Sequence, residues 1–149
     1  MKRREFIKHS CTGCLSIYAL PLMFSSCAML TDTTGKIVED GLTLSTEEFI
    51  IKDKGNSAYR SFLVVRNDML LYPVCIYRFN EKQYSALWMK CAHQGAELQA
   101  SGDTLHCPAH GSEYNNKGQV TNGPAVNNLR VFPVTVNDKE IFIDLRKQS

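Results

Sequence analysis

Hydrophobic and polar positions from residue 61 onward follow the short-period pattern of β-strands. Five segments are rich in β-branched and aromatic residues and are separated by turn residues. They are residues 61–66, 72–79, 83–90, 129–136 and 140–145. Ile141, Ile143 and Leu145 alternate with polar neighbours, after an Asn137-Asp138 turn. No stretch after residue 45 keeps a helical period, so the pattern predicts an all-β domain of mostly antiparallel strands.

The chain divides into three parts on this pattern. Residues 1–30 begin with a basic cluster and continue as a long uncharged run, which is expected to be a signal and anchor segment. Residues 31–45 are polar and threonine-rich, without an aromatic residue or an apolar period, and they are predicted to form a tether. Because a chain of 149 residues can bury one core, we expect residues 46–149 to fold as one domain.

The basic cluster has the features of an export signal. Arg3 and Arg4 are adjacent, and residues 11–30 carry no charge, which resembles a twin-arginine signal. A basic helix end on a cytosolic protein is the alternative, but it leaves the uncharged run unexplained. From Ala28 onward the chain has 13 basic and 14 acidic residues. This balance gives no basic face for nucleic acid.

Two kinds of membrane anchor fit the end of the uncharged run. The segment "MFSSC", residues 23–27, resembles a bacterial lipobox, in which Cys27 would be lipidated and become the mature N-terminus. Phe24 stands where a lipobox usually has leucine. Alternatively, residues 11–30 remain as an uncleaved spanning helix. Either anchor would hold the exported domain in the periplasm or at the outer face of a bacterial membrane.

The candidate chemistry lies in the longest interval between strong strands, residues 91–128. The octets "CAHQGAEL" at 91–98 and "CPAHGSEY" at 107–114 contain the pairs Cys91-x-His93 and Cys107-x-x-His110. A disulfide between the two cysteines would suit an oxidising compartment, but it gives the histidines no role. Four soft or borderline ligands specify a metal site instead. The residue types alone allow one structural zinc ion or a two-iron, two-sulfur cluster with two ligands on each iron.

The two octets resemble the signature of the Rieske iron–sulfur family, C-x-H, a spacer, and C-P-x-H-G. The likeness covers about residues 85–136, including "GPAVNNLRVFPV", which resembles the family's loop around Pro124. It implies stacked antiparallel sheets, a small cluster-binding subdomain and one [2Fe-2S] cluster. By resemblance, Cys91 and Cys107 would ligate the inner iron, while His93 and His110 would ligate the outer iron with their ring edges towards solvent.

Two departures qualify this resemblance. Ala96 and Ala109 stand where respiratory Rieske subunits have a second pair of cysteines, so no disulfide bridges the loops, and glycine turns, the Pro124 loop and packing alone are expected to hold them. Ser112 and Tyr114 match the respiratory branch. By resemblance, Ser112 would donate to a bridging sulfide and Tyr114 to the sulfur of Cys91, which raises the reduction potential.

These observations predict an electron-transfer protein that transforms no organic substrate by itself. The sequence shows no nucleophile with a base, phosphate loop or carboxylate triad for a mononuclear iron. A subunit of a quinol-oxidising, cytochrome bc-like complex is the first hypothesis, with a membrane quinol or a redox protein as partner. The alternative is a relay subunit of a periplasmic oxidoreductase such as a molybdenum oxidase. A zinc-stabilised lipoprotein without redox activity is the third.

Overall fold

The computed structural model describes residues 32–53 and 56–146, which form an all-β structure, as the sequence predicts. The strands, numbered in chain order, are β1 (Asp32–Thr34), β2 (Lys36–Val38), β3 (Gly41–Ser45), β4 (Ile50–Asp53), β5 (Asn56–Tyr59), β6 (Phe62–Arg66), β7 (Val74–Arg78), β8 (Tyr84–Trp88), β9 (Gln99–Ser101), β10 (Thr104–His106), β11 (Glu113–Asn115), β12 (Val120–Asn122), β13 (Val131–Phe132), β14 (Val134–Val136) and β15 (Glu140–Asp144). A 3-10 turn covers Thr46–Phe49. Among these residues no helix is long and apolar enough to cross a membrane. The predicted export and lipidation residues, Arg3, Arg4 and Cys27, lie outside the described part of the chain.

Three larger sheets and one hairpin make up the described chain. A five-stranded sheet has the order β1-β6-β7-β8-β13, and all its pairings are antiparallel except that of β1 with β6. One four-stranded sheet has the order β14-β15-β3-β2, and the other has the order β12-β11-β10-β9. The strands β4 and β5 pair separately. The five-stranded sheet lies between the two four-stranded sheets, because it contributes side chains to both cores.

The alternation of side chains along β7 explains the two cores. Val74 and Ile76 pack with β3 and β15, whereas Cys75 and Tyr77 point to the opposite face and pack towards both octets. Successive side chains of a strand point to opposite faces. A strand that is covered on both faces therefore reads as a continuous apolar run, which is the pattern that residues 72–79 show.

The predicted tether is wrong for residues 32–45. These residues form β1, β2 and β3, and β3 pairs with β15 and β2 inside a sheet. Leu42 and Leu44 are buried in the core. These strands of three to five residues are too short to give a visible period. The pairing of β3 with β15, a strand about a hundred residues away, is what orders them.

The sequence pattern did not resolve the strands in two further segments, residues 129–136 and 91–128. The segment 129–136 was predicted as one strand, but Pro133 divides it into β13, which pairs with β8, and β14, which pairs with β15. Proline has no amide hydrogen for a sheet ladder, so the chain changes sheets there. Within residues 91–128, β9 to β12 form the small sheet that holds both octets in place.

Candidate metal centre

The two octets form two loops with the same backbone geometry. The first loop, residues 91–98, connects β8 to β9, and the second, residues 107–114, connects β10 to β11. The amide of Gly95 donates to the carbonyl of Cys91 at 2.9 Å, and the amide of Gly111 donates to that of Cys107 at 2.9 Å. Both glycines have a φ of 77°, a conformation that side-chain-bearing residues rarely adopt. The similar spacing of the octets thus encodes one turn used twice.

This paired turn brings all four candidate ligands together in two layers. Cys91 and Cys107 are buried free thiols. His93 and His110 are exposed, and their ring centroids lie 5.0 Å apart at an interplanar angle of 88°. In the described residues no three His, Cys, Asp or Glu side chains converge on one metal-ion position. The donor set separates into a buried sulfur pair and an exposed imidazole pair, which is the arrangement that two irons with different ligands require.

Tyr114 lies directly behind this site. Its hydroxyl is 3.4 Å from the sulfur of Cys91 and accepts a hydrogen bond from the amide of Ala92 at 3.0 Å. Since that amide is a donor only, the single hydroxyl proton of Tyr114 is free to point at the sulfur. Burial, followed by the contact with Cys91, raises the pKa of Tyr114 to about 12, so the proton is retained at neutral pH.

Ser112 connects the second loop to the loop around Pro124. The side chain of Ser112 is fully buried, and its oxygen accepts a hydrogen bond from the amide of Ala125 at 3.0 Å. The peptide bond between Gly123 and Pro124 is cis, and Pro124 itself is exposed. Because the oxygen of Ser112 acts as an acceptor, its proton is available for another acceptor in the site.

Comparison with known proteins identifies the family. The sequence model of the Rieske [2Fe-2S] domain matches residues 52–133. The chain belongs to the Rieske [2Fe-2S] domain family. It is therefore an electron-transfer domain that takes one [2Fe-2S] cluster and exchanges electrons with redox partners. The described donor set fits that group, because two buried thiols and two exposed imidazoles lie on the two equivalent loops.

Several solved structures resemble this Rieske domain. The plasma-membrane Rieske protein of the cyanobacterium Synechocystis PCC 6803 is 27% identical, with 56% of this chain and 85% of that chain covered and a TM-score of 0.49. A chain from the oxygenase–ferredoxin complex of carbazole 1,9a-dioxygenase is 27% identical, with 60% and 84% covered and a TM-score of 0.47. Dicamba monooxygenase is 29% identical, with 58% and 30% covered and a TM-score of 0.42. No curated protein sequence matches the chain.

The electrostatics of the Rieske site favour a thiolate at Cys91. Burial acts to raise its pKa, but hydrogen bonds from the Tyr114 hydroxyl, the amides of His93 and Gln94 and the Cys107 side chain outweigh burial, so the pKa of Cys91 lies below its ordinary value. The thiolate is the form of cysteine that binds metal. Tyr114 first, and then the loop backbone and Cys107, therefore favour the form of this sulfur that binds metal.

Side-chain contacts from outside the loops also hold the first Rieske loop, so the expectation that glycine turns, the Pro124 loop and packing act alone is wrong. The hydroxyl of Tyr72 donates to the carbonyl of Gly95 at 2.6 Å. The guanidinium of Arg66 contacts Glu97 at 2.8 Å and Asp32 at 3.0 Å. Arg66 thus connects the first described strand to the first loop. Sequence reasoning missed Tyr72 and Arg66 because both are distant from the octets along the chain.

The second Rieske loop has one contact of the same kind. The side-chain amide of Asn122 donates to the carbonyl of Gly111 at 3.2 Å. This bond is the counterpart of the one that Tyr72 makes to Gly95, since each ties down the carbonyl of the turn glycine. These contacts connect the loops to the sheets in a chain that has alanines, Ala96 and Ala109, in place of the cysteines of an inter-loop disulfide.

One further cysteine and one further histidine lie apart from the donor set. Cys75 is fully buried on β7, and burial raises the pKa of its thiol to about 12, against an opposing hydrogen bond with Tyr77. His106 lies on β10 opposite Glu113, with 3.8 Å between the ring nitrogen Nδ1 and the carboxylate. The described neighbour of Cys75 is Tyr77 in the core, and that of His106 is Glu113 on the adjacent strand.

Proposed function

We propose that this chain is a membrane-tethered electron carrier outside the cytoplasm, and that Cys91, Cys107, His93 and His110 hold its cluster. The observation that supports the proposal is the pairing of two buried thiols with two exposed imidazoles on equivalent loops. When bound, the cluster supplies a one-electron redox couple. The chain's own contribution is to hold the sulfurs in a dry core and the imidazole edges at the surface.

The hydrogen-bond donors around the sulfurs are expected to set the reduction potential of this site. Tyr114 and Ser112 are buried hydroxyl donors, and each has its oxygen already occupied by a backbone amide. Donors stabilise the extra negative charge of the reduced state and so raise the potential. The exposed edges of His93 and His110 give a partner direct access, while the buried side of the site is closed to solvent.

A quinol-oxidising, cytochrome bc-like complex is the assembly that we favour for this carrier. The hydroxyl residues Ser112 and Tyr114 occupy the same positions as in the respiratory branch of the family. The exposed imidazoles can accept a hydrogen bond from a quinol and then release its proton. The test is voltammetry over about pH 6 to 10, together with reduction of the oxidised protein by a soluble quinol. A midpoint that falls with pH and rapid reduction by quinol are expected.

A relay subunit of a periplasmic oxidoreductase is the second candidate. Ala96 and Ala109 favour it, because the inter-loop cysteines of respiratory subunits are missing and contacts such as Tyr72 with Gly95 hold the loop instead. A pH-independent midpoint and no reduction by quinol would decide for this relay over the quinol-oxidising subunit.

We propose that export uses Arg3 and Arg4 as a twin-arginine signal and that Cys27 carries the lipid anchor, with an uncleaved N-terminal helix as the alternative. The support is the sequence of residues 1–30, in which the arginine pair precedes a long uncharged run that ends in a lipobox-like segment. Such a route carries folded proteins, which suits a domain that receives its cluster before export.

The ligand proposal is tested by loading the chain with iron and sulfide and by comparing matched variants. His93→Ala and Cys107→Ser are expected to abolish the visible absorbance of the loaded protein and the paramagnetic resonance signal of its reduced cluster. His106→Ala and Cys75→Ala are the controls, because both residues lie apart from the imidazole pair. Loss of the cluster in either control, or its retention in His93→Ala, would contradict the ligand set.

A further inference from the structure

A cleft of about 470 Å³ opens beside His93 and has a positively charged wall. Trp88, Lys90, Asn128 and Arg130 line it together with the first loop. None of its lining residues is acidic. The cleft therefore differs in charge from the rest of the chain, in which basic and acidic residues nearly balance.

The position of the Lys90 ammonium is fixed by its neighbours. Its Nζ lies 5.1 Å from the centre of the Trp88 ring and 5.7 Å from that of Tyr72, and those two rings meet edge-on at 5.4 Å. The Lys90 stem runs over the first loop, since a Cβ on Gly95 would lie 3.2 Å from its Cε. Cation–aromatic contacts of this length are attractive, so the positive charge is held next to the loop that carries His93.

Arg130 supplies the second charge near Trp88. Its guanidinium carbon is 5.8 Å from the Trp88 ring centre and 4.5 Å from that of Phe132. It donates to the carbonyls of Leu145 and Arg146 at 2.9 and 3.0 Å, which are uncharged acceptors. Because both acceptors are neutral carbonyls, neither compensates the charge of the guanidinium.

No carboxylate in the described part of the chain neutralises these two cations. Neither Lys90 nor Arg130 takes part in a salt bridge among these residues. Glu97 lies opposite Lys90 in a backbone bridge, but its carboxylate contacts Arg66 at 2.8 Å. The cleft thus presents two cations that no described carboxylate pairs with, 5.1 and 5.8 Å from the centre of one indole ring and near an exposed imidazole.

We propose that this cleft docks a carboxylate-bearing surface of a redox partner protein and so places the partner against His93. The inference rests on the proposed electron-transfer function and adds the chemistry of the partner. Complementary charges steer association and fix the docked orientation. An anionic membrane surface is the other possible occupant, but recognition of such surfaces uses clusters of about four to eight basic residues, and this concave cleft has two.

The single tryptophan of the chain provides a direct measurement. Polyglutamate is titrated into the full-length chain in detergent at low ionic strength, and Trp88 fluorescence is followed. We expect a saturable change in fluorescence that about 0.5 M NaCl abolishes. Lys90→Gln should weaken the apparent affinity for polyglutamate by about threefold or more. The control Lys139→Gln, which removes an exposed charge elsewhere, should leave the affinity unchanged. Polylysine should produce no change. An equal response to polylysine, or an unchanged affinity in Lys90→Gln, would overturn the proposal.

A kinetic experiment connects the cleft with electron transfer. The reduced, loaded chain is oxidised by anionic ferricyanide or by cationic tris(phenanthroline)cobalt(III). Lys90→Gln should slow the first reaction by about threefold at low ionic strength and should not slow the second. Equal effects on both oxidants would overturn the steering role. Suppression of the ferricyanide reaction by phosphatidylglycerol nanodiscs but not by polyglutamate would assign the cleft to lipid and overturn the docking of a protein.

The two proposals fail in different ways. A chain that takes up no cluster has no visible absorbance, whereas the fluorescence titration needs no cluster and reads the cleft alone. Failure of the chain to take up iron and sulfide, with binding of polyglutamate retained, would contradict the electron-carrier proposal and leave the binding property of the cleft intact. Absence of binding in a coloured, redox-active chain would contradict only the docking proposal.

Discussion

Gly95 and Gly111 are structural equivalents in the two loops. Each has a φ of 77°, and each donates its amide to the carbonyl of the cysteine four residues earlier at 2.9 Å. Their surroundings differ, because a Cβ at Gly95 would lie 3.2 Å from the Lys90 side chain, whereas a Cβ at Gly111 would meet nothing within 4 Å. Both positions therefore require a residue that can adopt a positive φ, and only Gly95 also lacks space for a Cβ.

Replacing either glycine with alanine should destabilise the domain, by different amounts. Gly111→Ala should lower the free energy of unfolding by about 1–2 kcal/mol, the cost of a left-handed conformation for an L-residue. Gly95→Ala should lower it further, because Lys90 must also move. Urea titration followed by Trp88 fluorescence measures both changes. Gly102→Ala is the control, since Gly102 has a φ of 54° and open space around it but lies outside both loops. The Gly102→Ala variant should lose about as much stability as Gly111→Ala. It should still bind iron normally, because its backbone change lies outside both loops.

Removing the buried hydroxyls should lower the reduction potential. Tyr114→Phe removes the donor 3.4 Å from the Cys91 sulfur, and Ser112→Ala removes the other buried hydroxyl. Each loss should shift the midpoint down by an amount on the order of tens of millivolts, because the reduced state carries the extra negative charge. Voltammetry measures the shift. Tyr72→Phe is the matched control, because that hydroxyl bonds to the Gly95 carbonyl. An equal shift in the control would mean that loop relaxation, and not donation to sulfur, sets the potential.

Stability should fall at alkaline pH, partly through Cys75. Burial raises the pKa of its thiol from 9.0 to about 12 in the folded protein. The unfolded chain releases that proton above pH 9.0, so the contribution is fully present below pH 9.0 and is lost as pH rises to about 12. Cys75→Ala should flatten the dependence of the free energy of unfolding on pH in this window. Buried tyrosines such as Tyr114 also have raised pKa values, so part of the slope should remain. An unchanged slope would exclude Cys75 as a contributor.

The export signal and the anchor can be tested separately. Replacing Arg3 and Arg4 with lysine should stop export, because the twin-arginine route reads the arginine pair itself. Cell fractionation measures this, with Lys2→Arg as a control that keeps the pair. Cys27→Ala should abolish lipid labelling. An intact mass that corresponds to the uncleaved chain from Met1 to Ser149 in wild-type membranes would exclude the lipoprotein and favour the spanning helix.

The spacing of residues within each octet was sufficient to predict the candidate ligands and the family. Cys91 with His93 and Cys107 with His110 are local patterns, and the turn that presents them depends on a glycine inside the same octet. Four of the five strong strands were also predicted, because their apolar runs are long enough to show a strand pattern; the fifth, residues 129–136, is two strands divided at Pro133. In these cases the information lies within eight residues of the chain, and a sequence can display it.

Tertiary structure alone decided what lies around those local patterns. The short strands β1 to β3 exist because β3 pairs with β15, and residues 32–45 by themselves look like a polar linker. Tyr72 and Arg66 hold the first loop, and Arg130 comes close to Trp88, through contacts between residues up to about forty positions apart. A side chain's charge and shape are written in the sequence, but its neighbours across a sheet are fixed only when strands pair and pack. The candidate ligands were therefore predictable from the sequence, whereas the contacts of Tyr72 and Arg66 with the first loop and the cationic cleft beside His93 were not.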